Sequence, residues 1–583
     1  MLPPRIFLIL MQMMFSGAFS WSYAGEQSPP KNATEPQRLA PTTFYVSQSF
    51  GDDHWSGDAA KPEGARGPWK TLAKASTQYI AGDRILLKCG DTWDEELSPK
   101  GNGTPEKPIT IGSYGEGAKP IIDRQDERKD LFGIHLTDQE GFKIVGIEFA
   151  KCMTGIYADY SVGSPTRKFL WVEDCYFHDS LMYQHYEDYP KRKIGLGICL
   201  FSYETKNNIV MKDVTVKNCI FRRLASGIWT NSPDNFNKKA GNIYNFAGFT
   251  VEHCLFEEGY QWQLGMRGID GRTVRNCVTL DIGRNFRSFN GVAGAMFARC
   301  KNWLFEDSEW GFISIGLGSG DGEAFDFESN CDHMTMRRCL FHDTDGPCFL
   351  LCCYASGPEP ETDIHMENCV LNGKASHPIR LPRCEIVNTT DWNECTWKDC
   401  RFYLSKGEPL MKVMDPEKDK KSSFINCLLK DLSAACSTPR LIAKVSASTE
   451  TKGQTATKVA DGDAATVWKA TAAENQWVQL EFSKATMITE FRIKEDAASS
   501  VARYVIECWD DKESKWVSCF NGTTIGADFV APIVGRNTKK ARLKIIRTTK
   551  ENPAIGSFEA YSDLTGEVFQ VPRGGVPPER VGK

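Results

Sequence analysis

The fold is decided by a short segment that recurs along the chain and is clearest as DVTVKNCIF at residues 213–221. Apolar and polar residues alternate in it, and a Cys follows an Asn. Ser308 in NWLFEDSEW and Ile147 in FKIVGIEFA take the place of the Cys in two related segments. These positions recur at intervals of 23 to 44 residues. The other copies have Asn, Asp, His or Arg before the Cys: FLWVEDCYF (169–177), GFTVEHCLF (248–256), GRTVRNCVT (271–279), HMTMRRCLF (333–341), DIHMENCVL (363–371), ECTWKDCRF (394–402) and SSFINCLL (422–429).

The alternation predicts β-strands, because successive side chains of a strand point to opposite faces. A unit of about 30 residues with short strands and Gly-rich turns is typical of a solenoid, in which each coil buries its apolar face against its neighbours. We therefore predict an all-β solenoid with parallel strands in register.

The recurring cysteines are predicted to be buried thiols rather than disulfides. Parallel strands in register hold neighbouring side chains about 4.8 Å apart, which exceeds the roughly 3.5–4.5 Å between the Cβ atoms of a disulfide. Cys is small and apolar enough to fill a column inside the stack.

Residues 42–436 resemble the right-handed parallel β-helix superfamily, the pectate-lyase-like fold. The resemblance is carried by the repeats and by three entry segments similar to those of extracellular carbohydrate-active members. This superfamily includes hydrolases, lyases, epimerases and adhesins, so the resemblance implies the fold and leaves the chemistry open. The entry segments are TFYVSQSFGDDHWSGDAAKPEGARGPWKTLAKA (43–75), AGDRILLKCGDTWDEEL (81–97) and GNGTPEKPITIGSYGEGAKPII (101–122).

One coil is unusually acidic. DGEAFDFE at 321–328 contains Asp321, Glu323, Asp326 and Glu328, whereas the related DGPCF at 345–349 keeps only Asp345. Like charges this close raise one another's pKa, as general acid catalysis requires. Glycoside hydrolysis uses a proton donor and a nucleophile or base. We predict that these four acids supply both groups. Asp326 and Glu328 have Cα atoms about 6.7 Å apart in a strand, which is compatible with retention or inversion.

The same alternation predicts a groove on the outside of the solenoid. Phe325 and Phe327 should point inward, so Ala324, Asp326 and Glu328 should point outward. In matching coils, Cys348, Leu350 and Cys352 take the outward places, as do Tyr157 and Asp159 further upstream. The residues predicted to bind substrate combine aromatic, amide, acidic and basic side chains: Trp229, Asn231, Arg284, Arg287, Asp345, His377 and Arg380.

Two other interpretations of the acidic coil stay open. Asp321, Asp326 and Glu328 are oxygen ligands of the kind that Ca²⁺ prefers, although no cofactor is required for hydrolysis. In lyases of this superfamily, Ca²⁺ or a base neutralises a uronate and Lys or Arg abstracts the proton, so Arg380 or a loop Arg is the alternative base. A non-catalytic glycan-binding surface protein is the other interpretation. In all three, the partner is a polysaccharide or oligosaccharide.

The composition of the 583-residue chain is that of a soluble protein, with 41% apolar residues and a net charge of −5. This charge gives no support to a nucleic-acid partner. Residues 1–24 combine Arg5, an apolar run and small residues before Gly25, as in a secretory signal peptide. A linker at 25–41 follows, and we expect a secreted or periplasmic protein without a membrane span in the mature chain.

After the solenoid, the pattern changes to longer alternating strands that predict an antiparallel β-sandwich. Residues 440–563 resemble the coagulation-factor/discoidin C-type module, a jelly roll, as found on bacterial α-fucosidase-type hydrolases. DGDAATVW at 461–468 and Trp477 carry the resemblance, and Trp468 and Trp477 are core residues or sugar contacts. Cys508 and Cys519 flank a predicted hairpin as a disulfide or as free thiols. We expect a flexible tail at 564–583.

Overall fold

The protein is described here from a computed structural model, which defines most of the solenoid and the C-terminal module. The described residues are 40–125, 131–180, 195–231, 243–284, 291–315, 321–328, 331–352, 362–373, 386–388, 393–404, 409–413, 422–432, 439–463, 465–496, 501–562 and 564–573. The predicted signal peptide lies outside these ranges.

The first part of the chain is a parallel β-helix with three faces, and the predicted fold class is confirmed. We call the face that carries the acidic coil the site sheet. Its neighbouring strands pair in parallel and in register, one coil after the next. In the described part of the chain its strands are Phe132–Thr137, Thr154–Tyr160, Leu196–Ser202, Ser226–Asn231, Leu264–Arg267, Ala293–Ala298, Glu323–Glu328, Phe349–Cys352, Ile386–Asn388 and Met411–Val413.

The second face, the ladder sheet, contains the strand that precedes each recurring Cys. Its strands are Thr43–Val46, Arg84–Lys88, Ile109–Tyr114, Phe142–Val145, Arg167–Glu173, Met211–Lys217, Phe246–Glu252, Ile269–Asp270, Thr273–Arg275, Lys301–Glu306, Asp332–Arg337, Thr362–Glu367, Asn393–Lys398 and the first half of Ser423–Asp431. A four-residue helix, Leu72–Ala75, lies among the first coils.

The third face, the docking sheet, follows each recurring Cys. Its strands are Thr92–Trp93, Ile121–Asp123, Glu148–Ala150, Tyr176–Ser180, Ile220–Leu224, Leu255–Glu257, Val278–Ile282, Glu309–Ile313, Leu340–Thr344, Val370–Asn372, Arg401–Leu404 and the second half of Ser423–Asp431.

The turn between the ladder sheet and the docking sheet explains the repeated dipeptide. The residue before each Cys is left-handed, with φ of 52° at Asn218 and 53° at His253, a region that Asn, Asp and His enter more readily than most residues. The buried Cys219 thiol then donates to the Lys217 carbonyl oxygen at 3.2 Å. Ser308 donates to the Glu306 carbonyl oxygen at 2.8 Å, which explains how Ser replaces Cys.

Aromatic side chains form a column inside the solenoid. Phe149, Phe177, Phe221 and Phe256 stack with ring centroids 4.7 to 4.9 Å apart. Glycines at the start of the site-sheet strands lie over these rings, and a Cβ on Gly197 would stand 2.5 Å from Phe221 Cδ1. The predicted thiol column is also present, since the recurring cysteines are buried and free.

The C-terminal module is an antiparallel β-sandwich. Its strands are Ile442–Ala447, Trp468–Lys469, Gln476–Glu495, Val501–Asp510, Lys515–Gly522, Phe529–Thr548 and Ala554–Tyr561, and a 3-10 helix covers Ala456–Ala460. Trp468 is fully buried in its core, whereas Trp477 is half-buried. Cys508 and Cys519 are free thiols on adjacent strands, so the disulfide alternative does not hold in this structure.

The prediction of a flexible tail was wrong for its first half. Glu567–Val571 pairs antiparallel with Ser423–Asp431 and covers the last coil of the solenoid. Phe569 and Val571 are buried against Phe402 and Phe424, which supplies the apolar contact that holds the strand. No helix in the described ranges has the length and apolar character needed to cross a bilayer.

Candidate functional site

The strand Glu323–Glu328 brings three carboxylates to the outer surface of the site sheet. Asp326 pairs in register with Met296, and Glu328 pairs with Ala298. Glu323 pairs with Ala293, which packs in an outer cluster with Trp262, Met296 and Ala298. The acidic side chains therefore lie above three apolar residues of the preceding coil.

The inward and outward pattern of this strand differs from strict alternation. Ala324 was predicted to point outward, but it belongs to the interior core together with Phe325 and Phe327. Cys348, in the matching position of the next coil, is also interior and not outward as predicted. Ala324 and Phe325 are therefore consecutive inward residues at the start of this strand, and Glu323 before them pairs with Ala293 of the outer cluster.

The three carboxylates are largely buried and have few hydrogen-bond partners. Glu323 is fully buried, Asp326 is 5% exposed and Glu328 is half-buried. Within the described ranges, neither side-chain oxygen of Glu323 has a hydrogen-bond partner, and the same holds for Oδ1 of Asp326. Buried carboxylates without partners are disfavoured as anions, so this strand is under electrostatic strain.

The pKa of each of the three carboxyls is raised, and the causes differ from one carboxyl to the next. Burial, then the charges of Asp321 and Asp326, hold the pKa of Glu323 well above its usual range. Burial and Glu328 do the same for the pKa of Asp326, where Arg267 opposes the shift. Burial alone raises the pKa of Glu328, and Arg267 again opposes it. Glu328 is therefore the readiest of the three to ionise.

Arg267 is the cation of the site, two coils away from Glu328. It is 3% exposed, and burial lowers its pKa to about 10. Its guanidinium carbon lies 5.2 Å from the ring centroid of Trp229 and 5.9 Å from that of Trp262. The small side chain of Ala298 lies in register between Arg267 and Glu328. A buried Arg held against two indoles provides a fixed positive charge beside the acids.

Sequence reasoning missed Arg267 and Trp262. The signal was present, since MR at 266–267 follows QWQLG, and Met266 and Arg267 occupy the coil positions of Phe327 and Glu328. Trp229 was predicted, and its ring lies over Gly265, where a Cβ would stand 2.7 Å from Cε3. Trp229 and Trp262 stack with centroids 5.6 Å apart.

Asp321 and Asp345 begin the two related coils but make different contacts. The Asp321 carboxylate lies against the backbone of Gly291, where a Cβ would stand 1.6 Å from Oδ2. Asp345 Oδ2 accepts from Ser314 Oγ at 2.8 Å and from the Ile315 amide at 3.2 Å. Asp345 thus supports a turn of the solenoid.

The remaining predicted substrate-binding residues have three different outcomes. Asn231 is half-buried on the site sheet, and its Oδ1 has no partner in the described part of the chain. Arg284 follows a docking-sheet strand, where it pairs with Asp281 at 2.7 Å and donates to Thr523 of the module at 2.9 Å. The structure therefore does not bring Arg284 to the acids. Arg287, His377 and Arg380 lie outside the described residues.

The alternative calcium site is not assembled. In the described ranges, the group of three His, Cys, Asp or Glu ligand atoms within 4.8 Å of one another is Asp332, His333 and Asp363 on the ladder sheet. Asp321, Asp326 and Glu328 do not meet this criterion in the structure.

Comparisons with known proteins bear on the two domains separately. One solved structure similar to this chain is the GH136 lacto-N-biosidase of Eubacterium ramulus, with 18% identity, coverage of 67% of this chain and 68% of that chain, and a TM-score of 0.47. A chitosan-binding module from Paenibacillus sp. IK-5 in complex with chitotriose matches at 23% identity over 21% of this chain and 98% of its own, with a TM-score of 0.19.

The family-32 carbohydrate-binding module of C. perfringens NanJ in complex with galactose is similar at 16% identity over 20% of this chain and 93% of its own, with a TM-score of 0.19. A comparison with curated proteins found no match to the chain. Residues 444–554 match the sequence profile of the F5/8 type C domain. The C-terminal module is therefore an F5/8 type C domain, as its resemblance to the coagulation-factor/discoidin module implied.

Proposed function

We propose that this protein is an extracytoplasmic glycoside hydrolase that cleaves a polysaccharide or oligosaccharide on the site sheet. The observation that carries the proposal is the group Glu323, Asp326 and Glu328, three buried or half-buried carboxyls with raised pKa beside Arg267. Acid–base cleavage of a glycosidic bond needs two carboxyls with different pKa values, one protonated and one ionised at the same pH.

The electrostatics suggest a role for each group. Glu328 is the nucleophile or base, because Arg267 favours its anion and burial alone raises its pKa. Asp326 is the proton donor to the leaving oxygen, because Glu328 and burial keep it protonated. Glu323 stays neutral, because burial and the charges of Asp321 and Asp326 hold its pKa well above its usual range. Trp229 and Trp262 hold Arg267 in place and offer an apolar surface to a sugar ring.

The charge of the site favours a hydrolase over a uronate lyase. Asp321 and Glu328 are the groups of the site that this assignment leaves anionic, and they outnumber Arg267, the buried cation that acts on Asp326 and Glu328. An anionic sugar placed there is repelled, unless a metal ion compensates. A neutral or amino sugar carries no such penalty. The secreted or periplasmic location is proposed from the N-terminal segment.

The test is release of new reducing ends from a panel of plant, algal and host glycans. The intact protein should cleave at least one neutral glycan, and Glu328→Gln and Asp326→Asn should each lose about 10²-fold or more in kcat. Glu306→Gln, on the ladder sheet, is the matched control and should retain activity because its carboxylate faces a different surface.

Two outcomes would contradict the proposal in different ways. Products that absorb at the ultraviolet edge as unsaturated uronates, with loss of activity in chelator, would identify a lyase. Glycan binding without any cleavage, unchanged in Asp326→Asn, would identify a non-catalytic binding protein.

A further inference from the structure

The outer surface of the site sheet changes character along the solenoid. On the N-terminal side of the acids, successive coils present an aromatic track, which we define as Phe132, Tyr157, Phe201, Trp229 and Trp262. The strands that contain its first four residues are paired in register, and the first four residues are half-buried. Trp262 is 5% exposed and lies nearest to the acids.

Ring contacts join some members of the track in pairs. Phe132 and Tyr157 stack with centroids 4.4 Å apart, and Phe201 meets the exposed Tyr203 at 4.9 Å. Five strand steps of about 4.8 Å separate the strand of Tyr157 from that of Asp326, a length of about 24 Å. The track therefore has room for several sugar residues next to the proposed catalytic group.

The middle of the track carries few charges. The outward register positions of the strands Leu196–Ser202, Ser226–Asn231 and Leu264–Arg267 carry one charge, on Arg267. At the far end, His135 lies between two carboxylates, with Nε2 3.1 Å from Asp159 Oδ1 and Nδ1 3.5 Å from Glu96 Oε1. The buried, unpartnered Oδ1 of Asn231 offers a hydrogen-bond acceptor among the described residues in the middle of the track.

The ladder sheet has the opposite character, although it is built from the same coils. Its outward residues alternate in charge from coil to coil, in register: Glu173, Lys217, Glu252, Arg275, Glu306, Arg337, Glu367 and Lys398. Such a ladder of ion pairs suits a solvated face. The solenoid thus has no general need for a row of outward-facing aromatic rings, and their alignment on the site sheet requires another explanation.

We propose that the aromatic track binds the chain of a neutral glycan, which extends from the acids toward the N-terminal coils. This rests on the proposed function in taking the site sheet as the glycan-binding surface. Aromatic rings contact the apolar C–H surface of sugars, and a surface with few charges does not select uronates. The protein should therefore bind long neutral chains better than short ones.

The experiment measures binding of Glu328→Gln, which avoids turnover, to an array of neutral, amino and uronate-containing oligosaccharides of graded length. Signal should rise with chain length on neutral chains. Tyr157→Ala and Phe201→Ala, each in the Glu328→Gln background, should weaken binding of the longer chains about tenfold, the effect of losing one aromatic contact. Tyr157→Phe keeps the ring and should bind like the parent.

Trp171→Ala is the matched control, because Trp171 is half-buried on the ladder sheet with Lys143 Nζ 5.4 Å from its ring. It should leave binding unchanged. Binding that does not depend on chain length, that prefers uronates, that survives both alanine variants or that is absent would overturn the proposal. A failed catalytic assignment gives a different result, since neither wild type nor Glu328→Gln would release reducing ends while the binding pattern of the track persisted.

Discussion

Glu323 shows how a single residue can work against the stability of the fold. It is fully buried, without a hydrogen-bond partner for either oxygen among the described residues, and its pKa is raised by burial and by Asp321. A group of this kind is retained in a core only if the surrounding structure compensates for it, and such groups cluster at functional sites.

We predict that Glu323→Gln stabilises the protein at neutral pH. A raised folded-state pKa means that folding is favoured while the group is protonated, and that stability falls as pH rises above the unfolded value near 4.3, by about 1.4 kcal/mol per pH unit up to the folded-state pKa. Gln removes the titration. Urea unfolding at pH 4.5 and pH 8 should give similar midpoints for both proteins at the lower pH and a higher midpoint for the variant at the higher pH.

An equal difference between the two proteins at both pH values would show that Glu323 is not a buried acid of raised pKa. Glu306→Gln, at a half-buried position with Arg337 and Arg338 nearby, serves as the comparison. It removes an ion pair instead of an unpaired buried group, so we expect no gain in stability at pH 8.

At the residue scale, the acids themselves were predictable, because DGEAF and DGPCF share a framework and differ in charge. The outward direction of the Glu323 side chain was not predictable from the sequence. It depends on the bend in which Ala324 and Phe325 both point inward, and period-2 alternation contains no signal for two consecutive inward residues.

The coils repeat two local structural features, a turn and a bend. A left-handed residue and a Cys or Ser form the turn between the ladder and docking sheets, and a Gly at the next bend makes room for a stacked Phe. The sequence pattern of an Asn or Asp before a Cys is therefore a consequence of backbone conformation.

We predict that Gly197→Ala destabilises the solenoid by about 1–3 kcal/mol, the usual range for an overpacked core. Its added Cβ would stand 2.5 Å from both the Gly227 carbonyl oxygen and Phe221 Cδ1, neither of which can move without disturbing the next coil. Denaturant unfolding measures the effect.

Gly112→Ala is the matched control for this bend. Gly112 also lies in a strand of the solenoid, but the nearest atom to an added Cβ is Leu86 Cδ2 at 3.5 Å, an ordinary contact distance. Equal stability of Gly197→Ala and the parent would contradict the close packing of Gly over Phe.

At the scale of the whole molecule, the F5/8 type C domain is packed against the docking sheet. Leu340, Val370 and Tyr403 of the solenoid are part of its apolar core. Lys430 and Glu490 form an ion pair at 3.0 Å with both side chains almost fully buried. The module therefore holds a fixed position on the face adjoining the docking strands.

A buried histidine network lies in this interface. His342 is fully buried, with Nε2 3.0 Å from Glu309 Oε1 and Nδ1 2.9 Å from Asp343 Oδ2. Glu309 also accepts from the backbone and side-chain amides of Asn521 in the module, at 2.5 and 2.7 Å. Despite burial, which lowers it, the two carboxylates raise the pKa of His342 to about 8.

We predict that the free energy of unfolding decreases by about 2 kcal/mol between pH 6.5 and pH 8.5 because of His342. A folded-state pKa above the unfolded 6.5 gives a contribution that is fully present below pH 6.5 and is lost as pH rises through about 8. Urea unfolding across this range should show the slope in the parent and a flatter profile in His342→Gln. His54→Gln, at a side chain that is 95% exposed, should keep the parental slope, and a slope retained in His342→Gln would refute the assignment.

The sequence by itself determined the stack of coils, the thiol column, the acidic strand and the presence of a C-terminal β-sandwich, because each leaves a local periodic pattern that does not depend on distant residues. Only the tertiary structure decided that Arg267 and Trp262 join the acids, that Arg284 binds the module, and that Glu567–Val571 closes the last coil. These contacts join residues far apart in the chain, and their register depends on how the coils and the module pack, which no short segment encodes.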